Sequence, residues 1–453
     1  MTTAVGIANA DAAMFALELR WSDVPQPVRR RLAWLVLDLA AVSVAGRLAP
    51  AARIAADYAS EAHAGDAATA LFDGRRLSVP GAAWANGVLA NALDFDDGHR
   101  LTKGHPGATV LPAALAAAEA TDATLEEFLT AVVVGYEVAL RAGVRLHGRA
   151  SEYHASGAWG ALGAAAAVSR LLGLGATRTQ HAIGLAEYHA PNALIMRSVA
   201  DPAMTKDATG WGAFVGSSSA MLARAGFTAL ESAFLGEGTL EGYGERWALL
   251  DVYVKAYPCC RWTQPAIEAA LRATRARGVA PDEVRRVAIQ TFAAAEGLAR
   301  RRPQTTEDAQ YSLVWPVAAA IVRGRFGVDD VLTGFGDEGV WAVAERTNVV
   351  GDAAVTAAFP ARRFAAVSVE LVDGSVLQSG RCEARGEPGE EGWEDVVAEK
   401  LPFLSVPAGT RVVAPSDPPK LRLGGRTLAE LIAALAYPLT LEPDRTTTDE
   451  GRS

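Results

Sequence analysis

In NALDFDDGHRLTKGHPGATVLPAALAAAE, Asn91 to Glu119, three aspartates, two histidines and a lysine fall within the first fifteen residues, after which the chain returns to alanine-rich apolar sequence. These residue types suit proton transfer next to a carboxylate. Histidine is the natural general base or acid near neutral pH, a lysine desolvated in an apolar pocket can join it, and fixed cations can hold an enediolate-like charge. Asp94 beside a histidine would orient the imidazole and keep it basic, and His105, before Pro and Gly at the start of a helix, is the candidate for that ring. Asp96 and Asp97 have a second reading, as the end of a helix and a solvated loop. The pattern D-x-D-D-x-H has the oxygen and nitrogen donors for a divalent metal, but no second ligand group at recognisable spacing completes a shell, so metal-free chemistry is expected. Cys259 and Cys260 precede Arg261, which would lower a thiol pKa, yet buried structural cysteine is the commoner outcome and no nucleophile is assigned.

Composition narrows the partners. The chain has 453 residues, half of them apolar, and a net charge of −9, long enough for a large buried core and for two domains or one large body with a smaller addition. No basic run offers the footprint that phosphate backbones require, so nucleic acid is not expected as a partner. The first residues lack a basic n-region with an uninterrupted apolar core, and no later stretch holds eighteen apolar residues free of breakers. A soluble, cytoplasmic protein without membrane contact is expected. Three cysteines, two of them adjacent, provide neither a disulfide framework nor a zinc pattern and fit a reducing compartment.

The elements that must position this cluster are mostly helices. In PVRRRLAWLVLDLAAVSVAG the residues Leu32, Leu35, Val36, Leu39 and Val42 recur at helical spacing, Pro27 suits a helix start, and Gly46 a stop. Thr124 and Glu127 have capping-box spacing, and the apolar run behind them is expected to end at Gly143. GAWGALGAAAAVSRLLGLG and WGAFVGSSSAMLARAGF are crowded with small residues that let helix axes approach closely. No strand precedes them, so they are not read as cofactor loops. Beyond residue 258 the period changes. EVRRVAIQTF alternates through Val287, Ile289 and Thr291, and FAAVSVELVDGSVLQSG alternates through Val367, Val369 and Leu371 to a hairpin at Asp373-Gly374. RGEPGEEG reads as a solvated loop, and helical spacing returns in WEDVVAEKL and LAELIAALA. The expected architecture is mainly α: a large all-helical domain over 1–258 and 396–453, a smaller α+β lid domain inserted at 259–395, and a disordered tail from about 443.

Five pieces of the chain, ALDFDDGH, GHPGATVLPAALAAAE, YHASGAWGALGAAAAVSRLLGLG, YPCCRWTQPAIEA and QYSLVWPVAAAI, resemble the MmgE/PrpD family, which includes 2-methylcitrate dehydratase, cis-aconitate decarboxylase and iminodisuccinate epimerase. The resemblance implies an all-helical large domain with an α+β lid, a homodimer, and cofactor-independent chemistry on a small carboxylate. It places Asp94, His105, His154 and Lys206 among the catalytic residues and Lys255, Cys260 and Arg261 on the substrate, with His99, Gln264 and Trp315 beside them. Family members often carry threonine where Gly98 stands, histidine at the positions of Thr209 and Gln264, and tyrosine at that of Trp315. Tyr153, where phenylalanine is frequent, has two readings: a hydroxyl reaching solvent, or a second proton donor opposite Lys206, as in the epimerase branch.

The expected function is a lyase or isomerase acting next to a carboxylate in a pocket between helical body and lid. Dehydration comes first, with His105 or Lys206 removing the α-proton, Lys255 and Arg261 holding carboxylates, and His154 protonating the departing hydroxyl. Epimerisation by Tyr153 and Lys206 comes second, decarboxylation third. A repurposed, non-catalytic scaffold is the alternative from another class.

Overall fold

The computed structural model describes residues 4–235, 242–298 and 302–404. It is mainly α-helical. Helix Gln26–Gly46 carries Pro27 in its first turn and buries Leu32, Leu35, Val36, Leu39 and Val42 on one face. Four further helices, Gly107–Ala120, Leu125–Arg149, Gly157–Leu171 and Thr209–Arg224, pack on one another at the centre of the first half. Their small residues set the spacing. A Cβ on Gly163 would run into the Gly135 carbonyl, and one on Gly216 would come within 2.6 Å of the Ala161 carbonyl.

The Thr124 hydroxyl accepts the Glu127 N–H at 3.1 Å and so caps its helix as expected. The helix does not stop at Gly143, however, and runs on to Arg149. Gly143 is a contact rather than a terminus: a Cβ there would lie 2.8 Å from the Thr102 methyl and 2.9 Å from the Trp159 ring.

In the second half a four-stranded sheet has the order Thr347–Gly351, Val284–Thr291, Ala365–Leu371, Val376–Gln378. Ile289 pairs in parallel with Val349 and antiparallel with Val367. Alternation buries Val287, Ile289 and Thr291 on one strand and Val367, Val369 and Leu371 on the other, and helix Gln264–Thr274 packs against the second of these. The hairpin turns at Asp373-Gly374, where Gly374 has φ +87.

RGEPGEEG is only in part the solvated loop its composition suggests: Gly389, Glu390 and Glu391 are exposed, but the first half is not. Gly386 and Glu387 are buried, the Gly386 carbonyl accepts the Val254 N–H at 3.0 Å, and Glu387 pairs with Arg100 at 2.7 Å and Arg261 at 2.9 Å. Helix Trp393–Ala398 then returns to helix Gln26–Gly46, where Arg31 stacks on Trp393 and Lys400 meets Asp38 at 2.6 Å. One apolar cluster runs through both halves, from Leu32 and Leu35 to Val287, Val367 and Val397. LAELIAALA and the tail from about 443 lie outside the described residues. Among those residues no single helix is long and apolar enough to cross a membrane.

Candidate active site

Helix Val79–Ala90 ends at Asn91, and the chain turns at once, with Asp94 at φ +50 and its N–H donated to the Asn91 carbonyl at 3.0 Å. Of six non-glycine residues with positive φ among the described residues, Asp94, Lys103, Lys206 and Ala208 are four, all on loops around this region. Such backbone is costly for a residue with a Cβ and tends to gather where function requires it. A short antiparallel ladder, Gly98 with Tyr253 and His99 with Val252, ties the loop to the second half. That ladder explains Gly98. A Cβ at this position would strike the Tyr253 phenol, so a threonine has no room.

The loop lines a cavity of about 70 Å³ whose wall comes from both halves: Asp94, Lys103, His105, Tyr153 and Asp207 on one side, Tyr253, Lys255, Cys260, Arg261, Tyr311 and Arg363 on the other. Asp94, Asp96 and Asp97 are all buried, so the solvated-loop reading fails for Asp96 and Asp97. Asp97 accepts the Tyr136 hydroxyl at 2.7 Å and the Gly107 N–H at 3.0 Å, which holds the start of helix Gly107–Ala120. Lys255 donates to the Asp94 carbonyl at 2.7 Å and its carboxylate at 2.6 Å. Burial works against the Lys255 ammonium, but Asp94 and Asp96 outweigh it and raise its pKa, so Lys255 keeps its charge.

His105 is the centre of the cluster. Its Nδ1 lies 2.8 Å from the Asp97 carbonyl, which can only accept, so Nδ1 carries a hydrogen and Nε2 is left toward the cavity. Asp96 stands 3.2 Å from Nδ1, while Asp94 and Asp207 stand 3.4 and 3.7 Å from Nε2. Burial alone would lower the imidazole pKa, and Lys255 adds to that; the charges of Asp96 and Asp207 prevail and lift it to about 9. In the same exchange Asp96, which burial would raise, is held at about 2, chiefly by His105. The site therefore favours the imidazolium form of His105, which suits the ring to giving a proton.

Two further side chains complete this end. Asp207 accepts the Ser156 hydroxyl at 2.9 Å and the Tyr311 hydroxyl at 3.2 Å, and Ser156 in turn accepts the His105 N–H at 2.8 Å. Asp207 directly follows Lys206 and Tyr311 lies in QYSLVWPVAAAI, yet neither was singled out from the sequence. Cys260 lines the cavity, but burial first and Asp94 second push its thiol up to about 12, so it is a neutral wall residue.

The remaining expected residues are placed elsewhere. Lys206 is buried behind Asp94, donating to the Asn91 carbonyl and, at 2.7 Å, to Gln310 Oε1, and it lines a separate cavity of about 210 Å³ with Trp84, Met204, Thr209 and Trp211. Its pKa is lowered, mainly by burial. Thr209 donates to the Gly87 carbonyl at 3.0 Å. Successive residues of extended backbone face opposite ways, and Tyr153 and His154 divide accordingly. Tyr153 lines the active cavity beneath Lys103, whereas the His154 N–H goes to His147 Nε2 at 3.0 Å and its ring lies against that histidine. His99 is buried in the ladder, where burial lowers its pKa to about 4. Gln264 donates to the Tyr257 and Cys259 carbonyls at 2.9 and 3.2 Å and shapes the YPCC turn. Trp315 is core, its indole N–H given to the Asp330 carbonyl at 3.1 Å. His99, His154, Lys206, Gln264 and Trp315 do not line the cavity that holds His105.

Ligand atoms of Asp94, His105 and Asp207 lie within 4.8 Å of one another, a spacing that could take a divalent ion. The donor set does not suit one: Asp94 is already engaged by the Lys255 ammonium, and the histidine nitrogen concerned carries a proton below about 9.

The 453-residue chain has forty-three lysines and arginines, of which five are lysine. Four fall among the described residues. Lys206, Lys255 and Lys400 are buried and Lys103 is partly so.

Residues 10–244 match the model of the MmgE/PrpD N-terminal domain and residues 257–407 that of the MmgE/PrpD C-terminal domain. The chain is 27% identical over 394 residues to a cis-aconitate decarboxylase-like protein, oryM, of Aspergillus oryzae, covering 77% of this chain and 80% of that protein. It is 25% identical over 291 residues to a cis-aconitate decarboxylase of Aspergillus terreus, spanning 59% of that relative's length, and 31% identical over 166 residues to the human cis-aconitate decarboxylase, spanning 34% of it. With both domain models matched in order along the chain, it belongs to the MmgE/PrpD family.

Proposed function

We propose that this protein is a cofactor-independent lyase acting on a small carboxylic acid, and that its reaction is decarboxylation with His105 as the proton donor. The observation that carries this reading is the imidazolium: anchored through Nδ1, flanked by Asp94, Asp96 and Asp207, and protonated up to about 9. The bond between the departing carboxylate and its carbon breaks, the electron pair stays on that carbon and spreads into the adjoining unsaturated system, and CO₂ leaves. The Nε2 proton then moves to the carbon, and the neutral imidazole regains a proton from solvent. No base is required. The names of the relatives support the same choice.

Dehydration is the second reading, favoured by one observation. Asp207 faces the same cavity 3.7 Å from His105 and could take an α-proton while His105 protonates the departing hydroxyl. Two-base epimerisation has less support, because Lys206 and Tyr153 line separate cavities.

Turnover of cis-aconitate in heavy water tests the choice. Decarboxylation releases CO₂ and places one solvent deuterium on the product, whereas dehydratase activity on a hydroxy acid releases water. His105→Gln is expected to lower turnover roughly a hundredfold or more, with circular dichroism showing that the variant, though less stable, is still folded at the assay temperature. A folded His105→Gln protein with near-full turnover would sink this mechanism.

A further inference from the structure

The cavity that holds His105 also carries unbalanced positive charge. Among the cations of the site, Lys255 is neutralised by Asp94, Lys206 is spent on the Asn91 carbonyl and Gln310, and Arg100 and Arg261 share Glu387. Arg261 is further occupied by the carbonyls of Val254 and Arg385. Arg363 differs. Its side chain is only 7% exposed, it lines the cavity, and its Nε and Nη1 are buried without an acceptor. A buried guanidinium with unmet donors is costly. Its surroundings intensify the cost, since Arg100, Arg261 and Arg363 all act on the single carboxylate of Glu387, and Lys103 feels the charges of Arg363 and Arg100. Lys103 is itself held in left-handed backbone at φ +57 over the Tyr153 ring, while Arg363 stands over Tyr253. Two cations are thus aimed at one space with aromatic walls and one shared anion too few.

We propose that Lys103 and Arg363 form the subsite for a substrate carboxylate other than the one at the reacting carbon, and so set the preference for di- and tricarboxylates over monocarboxylates. This rests on the reading that the cavity takes a carboxylic acid. The fork of Arg363 matches a carboxylate through two parallel N–H donors, and Lys103 adds a point charge. The substrate is then oriented by polarity, with its anionic end on the clamp and its reacting carbon at His105.

Isothermal titration calorimetry with propane-1,2,3-tricarboxylate, which cannot react, and butyrate as the monocarboxylate tests the clamp. The unaltered protein binds the tricarboxylate, and Arg363→Gln and Lys103→Gln each weaken it roughly 10- to 100-fold while leaving the weak butyrate affinity unchanged, so the ratio collapses. Arg363→Lys, which keeps the charge and loses the fork, falls between, and guards against misreading an unfolded variant. If the glutamine variants retain the tricarboxylate affinity of the unaltered protein, the clamp is wrong and the lyase reading stands. If the unaltered protein binds neither acid, both fall.

Discussion

At pH 7 a free imidazole is mostly neutral, so His105 needs an account of what keeps its proton in place. The account is three carboxylates within 3.2–3.7 Å, opposed by burial and by Lys255. Since the acid form does the work, turnover should be level through neutral pH and fall as pH rises through about 9. Asp96 supplies the largest raising charge, and Asp96→Asn should therefore move the falling limb of the pH–rate profile toward acid by about one unit or more. An unmoved limb would assign the proton's stability to other groups. His105, Asp94 and Lys255 were legible in the sequence because each lies in a recognisable motif. The donor role proposed for His105 was not, because it rests partly on the charge of Asp207, a hundred positions away in the chain, which no local pattern records. Arg363 is a plainer case: PARRF carries no motif, and its importance comes only from having no acceptor once folded.

Among the elements, the helices were read correctly where period and cap agreed, as at Thr124 and in Gln26–Gly46. The strands followed from alternation and the hairpin from Asp-Gly. Glycine was the ambiguous signal, since it can end a helix or admit a neighbour, and only packing decides which. One helix and its partner supply the contrast. Gly163→Ala in helix Gly157–Leu171 forces a methyl against the Gly135 carbonyl and the Ala139 side chain and should cost about 1–3 kcal/mol. Gly148→Ala in helix Leu125–Arg149 meets nothing within 4 Å and should stabilise by about 0.5–1 kcal/mol. Urea titration of the two variants checks both signs. The parallel strand Thr347–Gly351 and the ladder of Gly98–His99 with Val252–Tyr253 escaped sequence reading, for they are short and their partners are distant.

For the whole molecule, the halves read as body and lid share one apolar core, and the cavity lies where their walls meet. The scarcity of lysine adds a practical consequence. Arginine serves most of the cationic positions, and of the described lysines Lys255 and Lys400 sit in buried ion pairs, Lys206 in a buried hydrogen-bonded site and Lys103 on the cavity wall. Among the described residues, an acylating reagent that modifies amines therefore finds little to react with apart from Lys103. Lys103 is the most open of these amines, and burial, with Arg363 and Arg100 nearby, lowers its pKa and enlarges its reactive neutral fraction. Brief treatment with acetic anhydride, followed by peptide mass spectrometry, should acetylate Lys103 before Lys206, Lys255 or Lys400, and propane-1,2,3-tricarboxylate should shield it. The same reagent becomes a footprint of occupancy, and coupling this protein to a solid support through Lys103 would block the cavity it was meant to display.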